Sequence, residues 1–316
     1  MSAPWLSVIV PTYNGARYLP DALESVRAQR LEGVEVIAID DGSTDETLAI
    51  LATYRDRLPL TVVERRAGNW AANTNLGLET ARGEWACFLH QDDAWLPGRI
   101  DFVRSRIERD PALLLHSADF IDAAGRTVGR WSCPLPPAQS GLPPEKTIAR
   151  LLVQNFVPLP AATFRRADAL RVGGLNPDLW FTADWDLWLK LAAMGRTVYV
   201  PRSLAAFRLH GQSQTVVRSG RSAEMRQQYQ AVFDHHWPLW RDRVSAPTRV
   251  LNAARLAREI NVALAARHHG EPVEWCKLPG VAAVGLGTWR YCLRNSRLVE
   301  RVAARLRAGL GNGRLA

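Results

Sequence analysis

The sequence predicts an α/β fold in which a mostly parallel sheet carries helices on both faces. Through the first ninety residues, short apolar runs alternate with stretches of helical periodicity. Parallel strands need crossover connections, so this alternation indicates successive βαβ units. A length of 316 residues with 47% hydrophobic residues is sufficient for a large buried core. No apolar run reaches the roughly 18 residues that cross a bilayer, which excludes an ordinary membrane-spanning protein.

The first half of the chain contains the most regular elements. The predicted strands are 6–10, 34–39, 60–63 and 85–89, and the predicted helices between them are 19–29, 43–54 and 71–80. Ser43 precedes Glu46 by three residues, which is the spacing of a capping box and predicts where the second helix begins. These elements give four strands joined by three helical crossovers.

The second half departs from simple alternation. The predicted elements are a helix at 97–109, a strand at 113–116, a hairpin turn at 122–125, a loop at 132–144, a helix at 184–194 and a strand at 197–200. From about residue 222 the pattern is helical to the end. We therefore divide the chain into a sheet-containing domain, 1–215, and a helical C-terminal region, 216–316.

The excess of positive charge is confined to the C-terminal part. The chain has 40 Lys and Arg against 31 Asp and Glu, a net charge of +9. Residues 1–240 contain 26 of each kind, whereas residues 241–316 contain 14 basic and 5 acidic residues. A uniformly basic nucleic-acid binder would not show this division, and no nucleic-acid partner is predicted.

The basic C-terminal part has the pattern of one amphipathic helix. Its arginines recur every three or four residues, at Arg290, Arg294, Arg297, Arg301 and Arg305, and its apolar positions are Leu298, Val299, Val302, Ala303 and Leu306. Such a helix is suited to an anionic membrane surface. The alternative is a helix that packs on the rest of the protein and leaves its arginines in solvent.

Cysteine usage and the N-terminus predict a cytoplasmic protein, and a tail of the membrane-binding kind would place it peripherally at the inner face of the membrane. The four cysteines form no C-x-x-C pair, which argues against a disulfide scaffold or a cysteine zinc site. The apolar run 6–10 leads directly into Pro11 and is too short for a signal peptide.

Two acidic pairs directly follow predicted strands. Asp40 and Asp41 come after the second strand, and Asp92 and Asp93 follow the fourth. The carboxyl ends of parallel strands share one edge of a sheet, where ligands bind. Adjacent carboxylates can hold Mg²⁺ or Mn²⁺, which in turn neutralises a diphosphate. The alternatives are a turn with a helix cap for the first pair and a solvated loop for the second.

Glycine-rich phosphate loops are absent from the sequence. There is neither a G-x-x-x-x-G-K-[ST] motif nor a G-x-G-x-x-G after the first strand. This disfavours a P-loop kinase and an ordinary dinucleotide-dependent dehydrogenase. A nucleotide bound by side chains and a metal ion fits the pattern better.

Five ordered segments resemble the signatures of family 2 glycosyltransferases. They are S-V-I-V-P-T-Y-N at 7–14, D-D-G-S-T-D at 40–45, F-L-H-Q-D-D-A-W at 88–95, D-W-D-L-W-L-K-L at 184–191 and F-R-L-H-G at 207–211. The resemblance covers about residues 5–215. It implies the GT-A nucleotide-sugar fold for the sheet-containing domain and inversion of configuration at the transferred sugar.

The resemblance also implies which residues bind the nucleotide-sugar donor. Asp41 would accept a hydrogen bond from the ring N–H of uracil or thymine, since a carboxylate offers only acceptors. The other predicted donor-binding residues are Pro11, Thr12, Tyr13, Asn14, Asn73, Gln91 and Arg208.

The implied metal site centres on Asp92, with His90 and His210 as further ligands of Mn²⁺ or Mg²⁺. Asp93 would support Asp92. The sequence departs from the usual family pattern at His90, where an Asp is common, and at Thr74, where relatives often carry an Arg that faces the diphosphate. It also has Ala183 where many relatives have a Glu.

Asp184 matches the catalytic base of the family, which removes a proton from the attacking acceptor hydroxyl. Its alternative role is to cap the helix that follows. Asp186 is predicted to be a structural residue of the first helical turn. Sugar rings stack on aromatic faces, so one residue among Trp180, Trp185 and Trp188 would line the acceptor site.

The leading functional prediction is a metal-dependent inverting glycosyltransferase of the cell-surface polysaccharide type. It would transfer a sugar from a UDP- or dTDP-sugar to a saccharide or lipid-linked saccharide acceptor. One alternative is a glycoside hydrolase with paired carboxylates. Another is a non-catalytic sugar-nucleotide-binding or scaffold protein of the same fold, motivated by the three departures from the family pattern.

Overall fold

A computed structural model describes residues 3–137, 141–213, 222–278 and 281–309. Its strands are β1 (Leu6–Thr12), β2 (Val34–Asp40), β3 (Leu60–Glu64), β4 (Trp85–Phe88), β5 (Ala94–Trp95), β6 (Leu113–Ile121), β7 (Thr127–Trp131), β8 (Ala162–Arg165) and β9 (Thr197–Arg208). The predicted boundary between residues 215 and 216 lies outside the described residues.

Helices connect the strands and make up most of the C-terminal region. They are α1 (Leu19–Arg27), α2 (Thr47–Tyr54), α3 (Trp70–Thr80), α4 (Arg99–Ile107), α5 (Pro144–Leu151), α6 (Arg166–Arg171), α7 (Ala183–Met194), α8 (Ser222–Trp240), α9 (Pro247–His268), α10 (Val281–Val284), α11 (Leu286–Ser296) and α12 (Leu298–Arg307).

One mixed sheet confirms the predicted α/β class. Its strand order is β3-β2-β1-β4-β8-β6-β9-β5, with β7 paired to β6. The first four strands are parallel to one another, as the helical crossovers require. Beyond them β8 runs antiparallel to β4 and β6, while β6 and β9 are parallel. The predicted hairpin at 122–125 is the β6–β7 turn.

Helices cover both faces of the sheet, as predicted. On β1, Val8 and Val10 belong to the same apolar cluster as the buried residues of α1, whereas Ile9 packs with the core that includes α3 and α7. Side chains alternate between the two faces of a strand, so a continuous apolar run supplies both cores at once. Residues of α8, α9 and α11 share the Ile9 core.

The approach of α3 to β1 depends on a glycine. A Cβ at Gly77 would lie 2.4 Å from Cγ2 of Ile9. Real Cβ atoms do not come this close to another heavy atom, so any larger residue would displace the helix or the strand. Gly77 therefore helps to set the position of α3 beneath the crevice at the carboxyl edge of the sheet.

Three sequence-based element predictions need correction. The strands predicted at 113–116 and 197–200 extend to Ile121 and Arg208, because their later residues pair with each other and with β7. The second helix begins at Thr47 rather than Ser43. The Ser43 hydroxyl donates to Oδ1 of Asp40 at 2.6 Å, and its Oγ accepts from the backbone N–H of Asn14, so it is not a helix cap.

The prediction of one continuous amphipathic helix at the C-terminus is also wrong. The chain breaks at Arg297, which has a left-handed φ of 50°, and forms α11 and α12 instead. Arg301 is buried against the body, whereas Val299 and Leu306 are exposed. Among the described residues, no helix is long and apolar enough to cross a membrane.

Candidate active site

The ends of β1 and β2 meet at the carboxyl edge of the sheet through a buried carboxylate. Asp40 is fully buried and accepts hydrogen bonds from the backbone N–H groups of Gly42 and Ser43, at 3.1 and 2.9 Å. Its Oδ1 also accepts from the Thr12 hydroxyl at 3.1 Å. Asp40 therefore holds the two loops together, and Thr12 is part of this support.

Gln91 fixes the backbone of the loop after β1. Its Oε1 accepts from the Tyr13 N–H at 2.8 Å, and its Nε2 donates to the Tyr13 carbonyl at 3.0 Å. Asn14 has a left-handed φ of 45°, and its side-chain oxygen accepts from the Thr44 N–H at 2.8 Å. The Tyr13 ring is left 51% exposed at the edge of the crevice. Gln91 thus shapes the loop that carries this ring.

Asp41 connects β2 to the loop that precedes α3. Its Oδ1 accepts from the N–H groups of Ala67 and Gly68, at 2.7 and 2.9 Å. Its backbone N–H donates to the Thr12 carbonyl at 2.9 Å. The half-buried Asp41 carboxylate is therefore held beside the loop that carries Tyr13, as the strand-end argument predicts.

The predicted metal ligands come together after β4 and β9. Nε2 of His210 lies 2.9 Å from Oδ2 of Asp92, and the Tyr18 ring packs on His210 with centroids 4.7 Å apart. Burial acts to raise the pKa of Asp92, but the His210 hydrogen bond and the nearby His90 lower it overall. The carboxylate therefore remains ionised, which is the form that binds a cation.

His90 has a ring nitrogen that is free to bind a metal ion. Burial lowers its pKa, against the opposing charge of Asp92, so the ring is neutral. Its Nε2 is buried without a hydrogen-bond partner among the described residues, and the same holds for Nδ1 of His210. Asp92, His90 and His210 offer carboxylate and imidazole donors, the types that suit Mn²⁺, but in the described part of the chain only Asp186, His235 and His236 have three ligand atoms within 4.8 Å of one another.

Arg208 lies behind this group rather than in the crevice. Its buried guanidinium donates to the Asp92 carbonyl at 2.8 Å and to the Asp21 carboxylate at 2.9 Å, and it lies over the Tyr18 ring. Its backbone N–H donates to Oδ1 of the buried Asp93 at 3.0 Å. These contacts occupy Arg208 with the protein, so the geometry gives it a positioning role. The prediction that it contacts a phosphate does not fit this placement.

Asp184 lies in the first turn of α7 and is held by two hydrogen bonds. Nδ2 of Asn155 donates to its Oδ2, and the Trp185 N–H donates to its Oδ1, both at 2.8 Å. Burial raises its pKa to about 6, against the effect of these two bonds. The N-cap position of α7 is Thr182, which makes no side-chain cap bond, and Asp184 satisfies the Trp185 N–H of the first turn, so it also has part of the predicted capping role. A carboxylate with a pKa near 6 is suited to accept a proton at neutral pH.

The structure places Asn73 and two of the three tryptophans in the interior, which leaves Trp180 for the predicted acceptor-lining role. Asn73 is 1% exposed because its position on α3 faces inward. Trp188 is fully buried, and Nε1 of Trp185 donates to the Leu151 carbonyl at 2.8 Å within the core. Of the three tryptophans, only Trp180 is half-buried. Trp188 packs against Phe88 and Phe164 of the sheet, whereas Trp185 packs edge-on against Tyr229.

Asp186 has the structural role that the sequence predicts, and it also takes part in an unpredicted cluster. Its Oδ1 lies 2.8 Å from Nε2 of His236, and its Oδ2 lies 2.6 Å from Nζ of Lys190. Ligand atoms of Asp186, His235 and His236 lie within 4.8 Å of one another. The Lys190 ammonium already neutralises the carboxylate, which disfavours a cation at this place.

Sequence reasoning missed Asn155. It lies in the segment between α5 and β8, and its only signal in the sequence is an amide in an apolar surrounding. Its own Oδ1 accepts from the Val157 N–H at 3.1 Å, so the amide orientation toward Asp184 is fixed. Asn155 therefore holds the candidate base in place.

Curated proteins with similar sequences include glycosyltransferases. An uncharacterized glycosyltransferase of Nostoc sp. (strain PCC 7120) is 27% identical over 72% of this chain and 71% of its own length. One from Haemophilus influenzae is 31% identical over 59% of this chain and 61% of its own length. These similarities agree with a transferase rather than a hydrolase.

Solved structures share the fold. S. aureus TarS 1–349 in complex with UDP-GlcNAc has a TM-score of 0.59 at 20% identity, covering 96% of this chain and 92% of TarS 1–349. The mannosyltransferase PcManGT from Pyrobaculum calidifontis, in complex with GDP-Man and Mn²⁺, has a TM-score of 0.52 at 20% identity, covering 98% and 88%. The architecture is therefore the GT-A fold of nucleotide-sugar glycosyltransferases.

The sequence profile described as "Glycosyl transferase family 2" matches residues 7–171, more than half of the chain. The matched segment contains the strand-end carboxylates Asp41 and Asp92 and the loops that hold them. The chain belongs to glycosyltransferase family 2, and it is a glycosyltransferase.

Proposed function

We propose that this glycosyltransferase inverts the configuration of the sugar that it transfers, with Asp184 as the catalytic base and a divalent metal at Asp92. The observation that carries the proposal is the Asp184 carboxyl, which is held by Asn155 and has a pKa of about 6. The donor is a UDP- or dTDP-sugar, and the acceptor is a saccharide or lipid-linked saccharide of the cell-surface polysaccharide type.

The chemistry of the proposal requires one proton acceptor. The acceptor hydroxyl oxygen forms a bond to the anomeric carbon while its proton passes to the Asp184 carboxylate, and the bond to the nucleoside diphosphate breaks on the opposite face. Attack from the opposite face inverts the configuration. Asn155 keeps the carboxylate oriented toward the hydroxyl, which lowers the entropy cost of the step.

The donor would be held by groups from several strand ends. Tyr13 offers an exposed ring for the base, and the Asp41 carboxylate is positioned to accept from a ring N–H. Asp92, His90 and His210 would hold the metal, which when bound supplies positive charge to the leaving diphosphate. The ion is Mn²⁺ or Mg²⁺; the ligand set of one carboxylate and two imidazoles favours Mn²⁺.

Release of nucleoside diphosphate from a panel of sugar nucleotides tests this function. UDP-GlcNAc and GDP-Man, the ligands of the structural neighbours, belong in the panel beside dTDP-sugars. We expect Mn²⁺-dependent release with one donor class, and a loss of at least about a hundredfold in Asp184→Asn. Asp178→Asn removes an exposed carboxylate nearby and serves as the matched control.

Two results would contradict the proposal. Equal release by the wild type, Asp92→Ala and Asp184→Asn would remove both assigned roles. Donor binding without turnover on any acceptor would favour the non-catalytic alternative. The identity of the anomer in the product decides inversion directly and is read by proton NMR.

We propose further that α11 contacts an anionic membrane surface from the cytoplasmic side. Its exposed face combines Arg290 and Arg294 with the apolar side chains of Leu286 and Leu293. A groove of about 490 Å³ beside it is lined by Arg249, Gly287, Arg290, Tyr291, Leu293 and Arg294. Arginine next to exposed leucine is the combination that binds the interface of an anionic bilayer.

Vesicle flotation tests the membrane contact. We expect the full chain to float with vesicles that contain phosphatidylglycerol and not with pure phosphatidylcholine vesicles. The double substitution Arg290→Gln and Arg294→Gln should abolish flotation, whereas Arg55→Gln with Arg202→Gln removes two exposed arginines elsewhere and should not. Equal flotation of the two double variants would contradict a role for α11.

A further inference from the structure

The helix α12 turns part of the basic C-terminal region toward the protein interior. Arg301 is only 9% exposed, and its guanidinium carbon lies 5.9 Å from the centroid of the Trp131 ring on β7. Ala304 packs in the apolar cluster of Phe120, which holds α12 against the β6–β7 hairpin. Arg305, one turn after Arg301, is half-buried. The fold therefore fixes two neighbouring arginines on the inner side of α12.

These two arginines have no carboxylate partner. Nη2 of Arg301 donates to Oδ1 of Asn261 at 3.3 Å, and the Tyr229 phenol is a further hydrogen-bond partner that acts to raise the pKa of the guanidinium. Nη1 is buried without a partner of its own among the described residues. Within the described ranges, no Asp or Glu side chain affects the pKa of either guanidinium. The residues outside those ranges include no Asp and no Glu. Burial, and then the charge of Arg301, lowers the pKa of Arg305 to about 10. An anion would relieve this unfavourable burial of like charge.

A short path connects this pair to the candidate base. Nδ2 of Asn261, whose oxygen accepts from Arg301, donates to Oε1 of Gln154 at 2.7 Å. The next residue in the chain, Asn155, donates to the Asp184 carboxylate. Two hydrogen bonds, one peptide link and one further hydrogen bond therefore join Arg301 to Asp184.

Tyr229 is a second link between the arginine pair and the residues around the base. Burial raises the pKa of its phenol, and the charges of Arg301, Arg305 and Asp184 all act on that phenol. Its ring also packs edge-on against Trp185, next to Asp184 in the chain, at 5.7 Å between centroids. Tyr229 is therefore a shared neighbour of the arginine pair and of the first turn of α7, which carries the base.

We propose that Arg301 and Arg305 form a subsite for a phosphate group of a substrate, beside the catalytic base. Guanidinium groups match phosphate oxygens in a bidentate manner and are the usual partners of buried phosphate. Both substrates can carry such a group: a phosphate-bearing acceptor or the donor diphosphate. The path to Asp184, which faces the acceptor hydroxyl, favours the acceptor. This inference rests on the proposed function and names the chemical class of its acceptor.

Calorimetric titration of inorganic phosphate into the full chain, without divalent metal, tests the subsite. The titration is done with and without saturating UDP or dTDP. Arg305→Gln is the principal variant, because the packing of Ala304 should keep α12 in place when Arg305 is changed. Arg301→Gln is the second variant. We expect each to weaken phosphate binding by about tenfold, which is the loss typical of one charge-assisted hydrogen bond. Arg202→Gln removes an exposed arginine of β9 and should leave the affinity unchanged.

The outcomes separate the two substrates. Phosphate binding that depends on Arg305 and persists with nucleotide bound supports the acceptor as the source. Binding that depends on Arg305 but is blocked by nucleotide supports the subsite with the donor diphosphate as its ligand. Equal phosphate affinity in all three variants and the wild type overturns the subsite. A chain that binds neither UDP nor dTDP contradicts the proposed donors, while the phosphate titration alone still decides the subsite.

Discussion

Replacement of Asp184, the candidate base, should make the variant more stable relative to wild type as the pH rises. The same substitution should remove the activity. The pKa of Asp184 is raised from 3.8 to about 6 because the carboxyl is buried. The folded state therefore binds this proton more tightly than the unfolded state. Between pH 3.8 and pH 6 the free energy of unfolding therefore falls as the pH rises. Above pH 6 the carboxyl is ionised in both states, and the whole of this loss of stability is present. A difference of this size corresponds to about 3 kcal/mol.

The substitution Asp184→Asn removes this cost but also weakens one hydrogen bond. The two bonds go to different oxygens of Asp184, and an Asn side chain keeps an oxygen at only one of these two places, so one of the bonds is lost. That loss is about 1 kcal/mol and does not depend on pH. The pH dependence of the difference therefore isolates the carboxyl: from pH 5 to pH 8, the stability of Asp184→Asn relative to wild type should rise by about 1.4 kcal/mol.

Urea unfolding of both proteins at pH 5, 6, 7 and 8 measures this difference. Asp178→Asn, which removes an exposed carboxylate, is measured in parallel as the control for one lost negative charge. A difference between wild type and Asp184→Asn that stays constant from pH 5 to pH 8 would refute the claim that burial raises the pKa of Asp184. It would also remove the physical reason for choosing Asp184 as the base.

Three further predictions concern the base, the metal site and the packing of α3. Asn155→Ala removes a hydrogen bond that lowers the pKa of Asp184, so the acid limb of the pH profile of kcat/KM should move upward by up to about one pH unit, and an unmoved limb would contradict the positioning role. Asp92→Asn should weaken Mn²⁺ binding by about tenfold or more, measured by electron paramagnetic resonance of free Mn²⁺; unchanged affinity would place the metal elsewhere. Gly77→Ala should destabilise the protein by about 1–3 kcal/mol in urea unfolding, because the added Cβ meets Ile9. The control is Gly287→Ala in α11, where a Cβ has nothing within 4 Å, and it should stabilise the protein by about 0.5–1 kcal/mol. Equal effects of the two substitutions would exclude the steric explanation.

The strand-end residues of the site could be found from the sequence because their signal is local. Asp41 and Asp92 directly follow apolar runs, and a parallel sheet necessarily brings those ends to one edge. Asp184 was identifiable from its place before a helical pattern and from its resemblance to a family motif. For these residues, the neighbours that decide their position lie within a few residues along the chain.

The orientation of side chains on helices was harder to predict. Periodicity shows that the arginines of the C-terminal region share a face, but it does not show which face meets the protein. The break at Arg297 and the packing of Ala304 on the β6–β7 hairpin turn Arg301 inward. For the same reason Asn73 and Trp188, which looked available in sequence, are buried by the sheet.

The sequence by itself determined the α/β class, the four parallel strands and the acidic residues at the carboxyl edge, because each depends on local periodicity or on the end of a local element. Only the tertiary structure decided which groups surround the base. Asn155, Tyr229 and Arg301 come from a loop and two helices up to about 150 residues apart, and no local pattern relates them. Their proximity results from packing around a common core, which sets both the pKa of Asp184 and the direction in which the basic helix faces.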